Sequence, residues 1–394
     1  MATALPMEPP SKFGHAFVCR AAAGVLQLIS RRLSNSMSNM DVMDDMGMGR
    51  SPKPLGSTPL ETGMGTNSDA DGCSCGGASS CDCRCDCGSG SSCESGGGCN
   101  EGIEGGRLLL VDGSNLMFQM FYGMPSRIVN DDGVAIHGVL GFVGAFLKMV
   151  GMVKPTHVLV LFDGEHENPR CQMDAQYKAN RDDYSTMALE ETPFSQMPYI
   201  YDALDFMGVP RLETVDCEAD DLVASYAKGF SHAGGHVTIA SMDSDFFQLV
   251  NDGVDVLRYR GKNSILCDVG YVSGRFGVPP GLYCDYKSLV GDPSDNIKGV
   301  PGIGPKTACR LLVKYGSLDG VVSRCSEIEP ERIGRAVRGN LERLGTNRRL
   351  ILLDGSQPLP LGFERLHIGE GLSSGLSNGG FSTRNVLKCV GLLA

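Results

Sequence analysis

The sequence predicts an α/β fold, a parallel sheet followed by a smaller helical lobe. Three observations support this. From Arg107 onward short apolar runs alternate with helical patterns, after Val278 the strand signals fade while helices continue, and three of the runs lead into an aspartate. The first run, Leu108 to Val111, reaches Asp112 and enters a helix over Ser114 to Tyr122. A helix over His137 to Met152 precedes the run His157 to Phe162, which Asp163 closes. Helix Phe194 to Met207 feeds the run Val209 to Leu212, and helix Ala219 to Phe230 returns the chain to the run His236 to Ala240, followed by Asp243 and Asp245. A short helix over Phe246 to Val250 leads to the last run, Val254 to Leu257. Helix-length connections between strands are what parallel crossovers require. The lobe then holds helices Lys306 to Tyr315, Leu318 to Cys325, Pro330 to Leu344 and Asn347 to Leu353. A Gly/Ser-rich stretch from Gly369 to Gly380 precedes a last helix within Thr383 to Leu393.

Composition bounds the function. The 394 residues suffice for one or two domains, and a net charge of -11 excludes a protein that holds nucleic acid by bulk positive charge, leaving room for a local basic groove. No apolar run approaches the roughly 20 residues of a membrane-spanning helix, so no membrane partner is expected.

The first 106 residues have a different texture. Residues 1 to 36 carry Lys12, Arg20, Arg31 and Arg32 against the single acid Glu8. If Phe17 to Leu33 is helical, Arg20, Gly24, Gln27 and Arg31 form one stripe and apolar residues cover the rest. That is the make-up of an organelle transit peptide, for mitochondrion or plastid alike, or of a poorly ordered tail. Residues 37 to 106 read as a Gly/Ser/Cys-rich linker: the thirty residues from Asp71 to Asn100 hold eight Cys, eight Gly and seven Ser, too few apolar groups for a core. Cys81, Cys83, Cys85 and Cys87 alternate, which suits a loop around a soft ion or a redox-sensitive linker, without the paired spacings of a structural zinc site.

In open parallel sheets the ligand site lies beyond the carboxyl ends of the strands. Acids collect there: Asp112, Asp163, Asp243 and Asp245, with Glu218, Asp220 and Asp221 at a helix start, Glu218 and Asp221 spaced to share one face. Asp292 and Asp295 add a pair in Gly291-Asp292-Pro293-Ser294-Asp295-Asn296. A helix-start acid also has a plain reading, a favourable charge on the helix dipole. Nine carboxylates in one cleft would repel strongly without divalent cations, and an all-oxygen set selects Mg²⁺ or Mn²⁺ over zinc. Two such ions, about 4 Å apart, suit phosphodiester hydrolysis.

Opposite them a basic stretch offers Arg170, Tyr177, Lys178 and Arg181. Lys178 and Arg181, at i and i+3, can face one phosphate while Tyr177 stacks on a base; the same spacing also marks a solvated helix. Gly302, Ile303, Gly304, Lys306 and Thr307 lie in Gly299-Val300-Pro301-Gly302-Ile303-Gly304-Pro305-Lys306-Thr307-Ala308. Pro305 separates the last Gly from Lys306, so this is no P-loop, and a hairpin whose amides grip a duplex backbone fits better.

Leu109 to Ser114, Tyr177 to Arg181, Glu218 to Asp221, Gly291 to Asn296 and Gly302 to Ala308, in this order, resemble the 5′-nuclease domain of bacterial DNA polymerase I and the related flap endonucleases. The resemblance implies a PIN-like core over residues 107 to 277 with a helical arch, and a helix-three-turn-helix lobe over residues 278 to 368 that binds duplex with a K⁺ ion. It implies 5′-to-3′ exonuclease and flap endonuclease activity on DNA with 5′ ends or 5′ flaps. By motif, Asp112, Asp163, Glu218, Asp220 and Asp221 would serve the first metal and Asp243, Asp245, Asp292 and Asp295 the second. Lys178 and Arg181 would steer the scissile phosphate, with Tyr177 stacking near the 5′ end. The chain departs from the pattern at Ser244, where Lys is usual, at Pro169, where an aromatic is common, and at Glu165 and Glu167, which add negative charge. No polymerase domain and no sliding-clamp motif are expected, and the protein is expected to act as a monomer in primer removal or repair. Two other readings compete: a branched-DNA binding protein with little catalysis, which the full acid set disfavours, and an RNA-directed PIN nuclease, which would lack the hairpin.

Overall fold

The computed structural model of the chain describes residues 103–164, 169–180, 184–369, 375 and 381–394. The leader helix, the Cys tract, Glu165, Glu167 and Arg181 lie outside them. Six strands form the main sheet: β1 (Arg107–Asp112), β2 (His157–Phe162), β3 (Arg211–Glu213), β4 (His236–Ala240), β5 (Val254–Arg258) and β6 (Ile265–Cys267). Their order is β3-β2-β1-β4-β5-β6; the first five are parallel and β6 runs antiparallel to β5. The predicted parallel sheet is present, with β6 as an added edge.

β1 and β2 are central and buried on both faces, so their sequences read as unbroken apolar runs rather than alternating ones. The pleat divides them. Leu108, Leu110, Leu159 and Leu161 enter one core, while Leu109, Val111, Val158, Val160 and Phe162 enter the other. The second core is covered by α1 (Gly113–Gly123), α2 (His137–Val153) and α4 (Met197–Phe206), and closed by α12 (Thr383–Cys389), whose Val386 and Leu387 are fully buried. Between β2 and α4 lie the short α3 (Pro169–Met173) and three single 3₁₀ turns.

The first core takes α5 (Ala219–His232), α6 (Val269–Phe276) and α7 (Tyr283–Val290). It then runs on without a break into the helical lobe: α8 (Pro305–Tyr315), α9 (Leu318–Ser323), α10 (Glu331–Arg338) and α11 (Leu341–Ile351). The single helix expected over Pro330 to Leu344 is two, because Gly339 and Asn340 end α10, the Asn340 side chain donating back to the Ala336 carbonyl at 2.8 Å. The helix expected over Phe246 to Val250 is a 3₁₀ turn, Asp245–Leu249, tightened by the buried Phe246 and Phe247. Between α7 and α8 the two-residue strands β7 (Gly291–Asp292) and β8 (Ile297–Lys298) pair in a hairpin whose turn carries Pro293 to Asn296.

Candidate metal centre and its surroundings

Register brings the acids together. Val111 pairs with Ala240 and Asp112 with Leu161, so β1, β2 and β4 finish at one level of the sheet. Asp112 caps α1, accepting from the Asn115 amide at 2.9 Å, and its other oxygen accepts from Ser241 Oγ at 2.8 Å. Ser114 Oγ accepts from the Asp163 amide at 2.9 Å, and Asp163 Oδ1 accepts from the Ala219 amide at 3.0 Å. That bond fixes the start of α5, and with it Glu218, Asp220 and Asp221, at the strand ends. Gly164 permits it: a Cβ there would stand 1.8 Å from the Thr214 carbonyl oxygen.

Asp112, Asp163, Asp220 and Asp243 repel one another. Burial, then Asp163 and Asp243, push the Asp112 carboxyl up to about 7. Asp220 is also held well above the ordinary carboxylate value, by burial and by Asp112, Asp243 and Asp163. A tighter group stands beside them: Asp245, Asp292 and Asp295, all buried, bring carboxylate oxygens within 4.8 Å of one another. Asp245 is also pushed up to about 7, by burial and by Asp243, Asp292 and Asp295, against the opposing pull of Lys287. Buried carboxylates at such spacing, with oxygen as the only donor, fit hard divalent cations.

Glu218 and Asp221 have cationic partners within the chain, as Asp245 and Asp292 do. Arg170, 7 % exposed, forms a two-point pair with Asp221 at 2.7 and 2.9 Å, a second pair with Glu218, and a 3.0 Å bond to the Leu352 carbonyl. Lys178 Nζ lies 2.6 Å from Glu218. Cations of the chain thus partner both acids, and Asp221 Oδ1 also accepts from the Asp354 amide at 2.8 Å. Burial favours the neutral guanidine, but the bonds to Asp221 and the charge of Glu218 outweigh it and raise the Arg170 pKa.

The basic stretch departs from expectation. Gln176 to Asn180 is a turn, and Lys178 has a left-handed backbone at φ 56°, so Lys178 does not sit on a helix. Tyr177 is 5 % exposed and packs with Cys284, Ile297, Leu350 and Ile351. It is a core residue, because its ring fills the seam between this turn, the β7-β8 hairpin and α11, and it has no face to offer a base. Arg170, likewise, is committed to the acids and not to the surface. The Gly299 to Ala308 segment forms a tight turn leading into α8: Gly302 takes φ 80°, Gly304 precedes the first turn of α8, Gly302, Gly304 and Lys306 are exposed, Thr307 is half-buried, and Ile303 anchors the loop in the core at 4 % exposure.

Sequence reasoning passed over Lys287. It sits on α7, 5 % exposed, with Nζ against both Asp245 and Asp292. The available signal was its position five residues before Asp292, inside a stretch otherwise ending in Ser-Leu-Val. Ser114 and Ser241, which orient Asp163 and Asp112, were also unmarked.

Residues 107–277 match the 5'-3' exonuclease N-terminal resolvase-like domain, and residues 278–372 the 5'-3' exonuclease C-terminal SAM fold. DNA polymerase I of Rhizobium leguminosarum is 35% identical over 271 residues, 67% of this chain and 26% of that protein. The thermostable DNA polymerase I of Thermus thermophilus is 34% identical over 254 residues, 64% of this chain and 29% of that protein. The chain thus spans between a quarter and a third of these relatives. Among solved structures it is similar to the T5 5'-exonuclease with bound zinc (20% identity, TM-score 0.52, 72% of this chain and 99% of that one). It is also similar to the bacteriophage T5 flap endonuclease in complex with DNA and metal ions (22% identity, TM-score 0.51, 72% and 99%). At those identities the likeness establishes the fold, a resolvase-like α/β core with a helical SAM-type lobe. With both domains present in order, the chain belongs to the 5'-3' exonuclease family of hydrolytic nucleases.

Proposed function

We propose that the chain is a divalent-metal-dependent 5′-to-3′ exonuclease and 5′-flap endonuclease that hydrolyses DNA by a two-metal mechanism. The observation that carries this reading is the pair of acid groups at the strand ends, Asp112, Asp163 and Asp220 with Glu218 and Asp221 at the same helix start, beside Asp243 and the buried trio Asp245, Asp292 and Asp295. The first group would hold one Mg²⁺ or Mn²⁺ ion and the trio a second. When bound, such ions lower the pKa of an attacking water and steady the leaving oxygen.

The chain's own residues do the rest. Ser241 and the Asn115 amide hold Asp112 in one orientation, and Ser114 and the Ala219 amide hold Asp163. Lys178, anchored by Glu218, would present its positive charge to a phosphate entering over the acids. The exposed Gly302 and Gly304, with Lys306 and Thr307, would grip the duplex backbone without reading bases. A K⁺ ion at this hairpin rests on the family resemblance, and an organelle address rests on the basic stripe Arg20, Gly24, Gln27 and Arg31.

The test is cleavage of an end-labelled 5′-flap duplex by the full chain in Mg²⁺, Mn²⁺ or chelator, beside Asp112→Asn and Asp292→Asn. Metal-dependent cleavage near the flap junction, lost in both variants while binding persists, is expected. Tight binding with no cleavage in either metal would replace this reading with a branched-DNA binding protein.

A further inference from the structure

Lys287 is a cation built into the trio. It lies on α7, where Tyr283, Cys284, Asp285, Tyr286, Ser288 and Leu289 are buried with it. Its side chain is 7 % exposed and its Nζ pairs with Asp245 and with Asp292, two of the three carboxylates of the tight group. A lysine on an exposed helix can swing away when a competitor arrives. This one is confined, because its side chain is buried and its helix is pinned to its neighbours: the Asp285 side chain accepts from the Leu318 amide at 2.8 Å and the Asn347 side chain donates to the Ser288 carbonyl at 2.9 Å.

We propose that Lys287 is a fixed intrinsic counter-ion that sets the divalent-ion affinity of the Asp245, Asp292 and Asp295 site. The inference rests on the reading that these carboxylates hold an ion. Fully ionised, as when they hold a cation, the three carboxylates carry three negative charges, and one ammonium lowers the net charge to that which a single divalent ion balances. The ammonium also engages oxygens that an incoming ion would need, so the ion has to share Asp245 and Asp292 with it. The consequence is a weak site. Such a site fills when a phosphate brings further oxygens, and stays largely empty at low metal concentration otherwise.

The experiment is Mn²⁺ binding to the full chain without DNA, followed by electron paramagnetic resonance of free Mn²⁺, for wild type, Lys287→Gln and Lys287→Arg. Wild type is expected to show a tighter and a weaker site. Lys287→Gln should tighten the weaker one by about tenfold or more, since a charge within contact distance is removed from a buried site. Lys287→Arg, which keeps the charge, should stay within about threefold of wild type. Asp295→Asn should abolish the weaker site and identify it as the trio. An unchanged or weakened site in a folded Lys287→Gln protein, judged by circular dichroism, overturns the inference. Equal tightening in Lys287→Arg does so too, because packing rather than charge would then be responsible. A wild type with one site and a Lys287→Gln variant with two would overturn the two-ion reading for the free protein and uphold the role of Lys287. No binding in any form would overturn both.

Discussion

The Lys178 amide donates to the carbonyl oxygen of Asp295 at 3.0 Å. A residue expected to steer phosphate is thereby joined, backbone to backbone, to a residue of the acidic trio. Two further bonds surround it: Asn296 Nδ2 donates to the Gln176 carbonyl at 2.7 Å, and Asn180 Nδ2 to the Pro293 carbonyl at 3.2 Å. The turn carrying Lys178 and the turn carrying Asp292 and Asp295 are thus docked on each other, so the cation and the acids keep one spacing.

Removing the Asn296 side chain tests that docking. Asn296 has φ 57°, a conformation glycine also adopts, so Asn296→Gly takes away the bond without straining the turn. Stability should fall by about 1 kcal/mol. Single-turnover cleavage of a 5′-flap duplex should fall roughly tenfold, because loosened positioning costs more in rate than in folding. Unchanged cleavage with an unchanged melting temperature would show that the docking does not position Lys178.

Arg170 offers a sharper distinction. Its guanidinium satisfies Asp221 and Glu218 and is nearly buried. Arg170→Met should therefore destabilise the metal-free protein by about 3 to 5 kcal/mol, the usual cost of stripping a partner from a buried pair. Urea unfolding in chelator measures it. A loss under 1 kcal/mol would mean that the two acids do not depend on Arg170.

These two sites mark how far the sequence could be read. β2 was legible because all six of its residues, His157 to Phe162, are buried and all but the first are apolar. The acid positions were legible because parallel strands end on one edge. α7 was not legible: Asp285 and Lys287 look like ordinary solvated charges, yet both are buried and bonded to Leu318 and Asp292. β6 was missed for the opposite reason, being three residues long with Ile265 and Leu266 exposed. Tyr177 beside Lys178 suggested stacking on a base, whereas the residues enclosing it stand more than a hundred positions away, beyond the reach of any local pattern.

Tyr177 gives a third test. A core tyrosine and a stacking tyrosine respond alike to alanine but differ in which property fails. Tyr177→Ala should cost about 3 to 5 kcal/mol of folding stability. Its cleavage at low temperature, where the variant stays folded, should keep the wild-type KM. Tyr177→Phe, which keeps the ring volume, should be within about 1 kcal/mol of wild type. A raised KM in a stable Tyr177→Ala protein would restore the stacking role.

His157 supplies a pH dependence away from the acids. Its ring lies 5.0 Å from that of Phe230 and 5.1 Å from that of His367, and Nδ1 is 2.8 Å from Thr156 Oγ1. Burial, with His367 second, holds its pKa below the ordinary value of 6.5. Between the lowered folded value and 6.5 the unfolded chain binds more protons than the folded one, so this residue makes stability rise with pH across that window and level off above it. His157→Asn, which can still face Thr156, should reduce the loss of stability on going from pH 7.5 to 5. Asp112 and Asp245, held at about 7 in the folded chain, bind extra protons when folded and act in the opposite direction. The quantity to measure is therefore the difference between variant and wild type at each pH, by urea unfolding in chelator, where the carboxylate contribution cancels. That difference should favour the variant progressively as pH falls below 6.5. A difference independent of pH would mean that His157 takes up its proton as readily folded as unfolded.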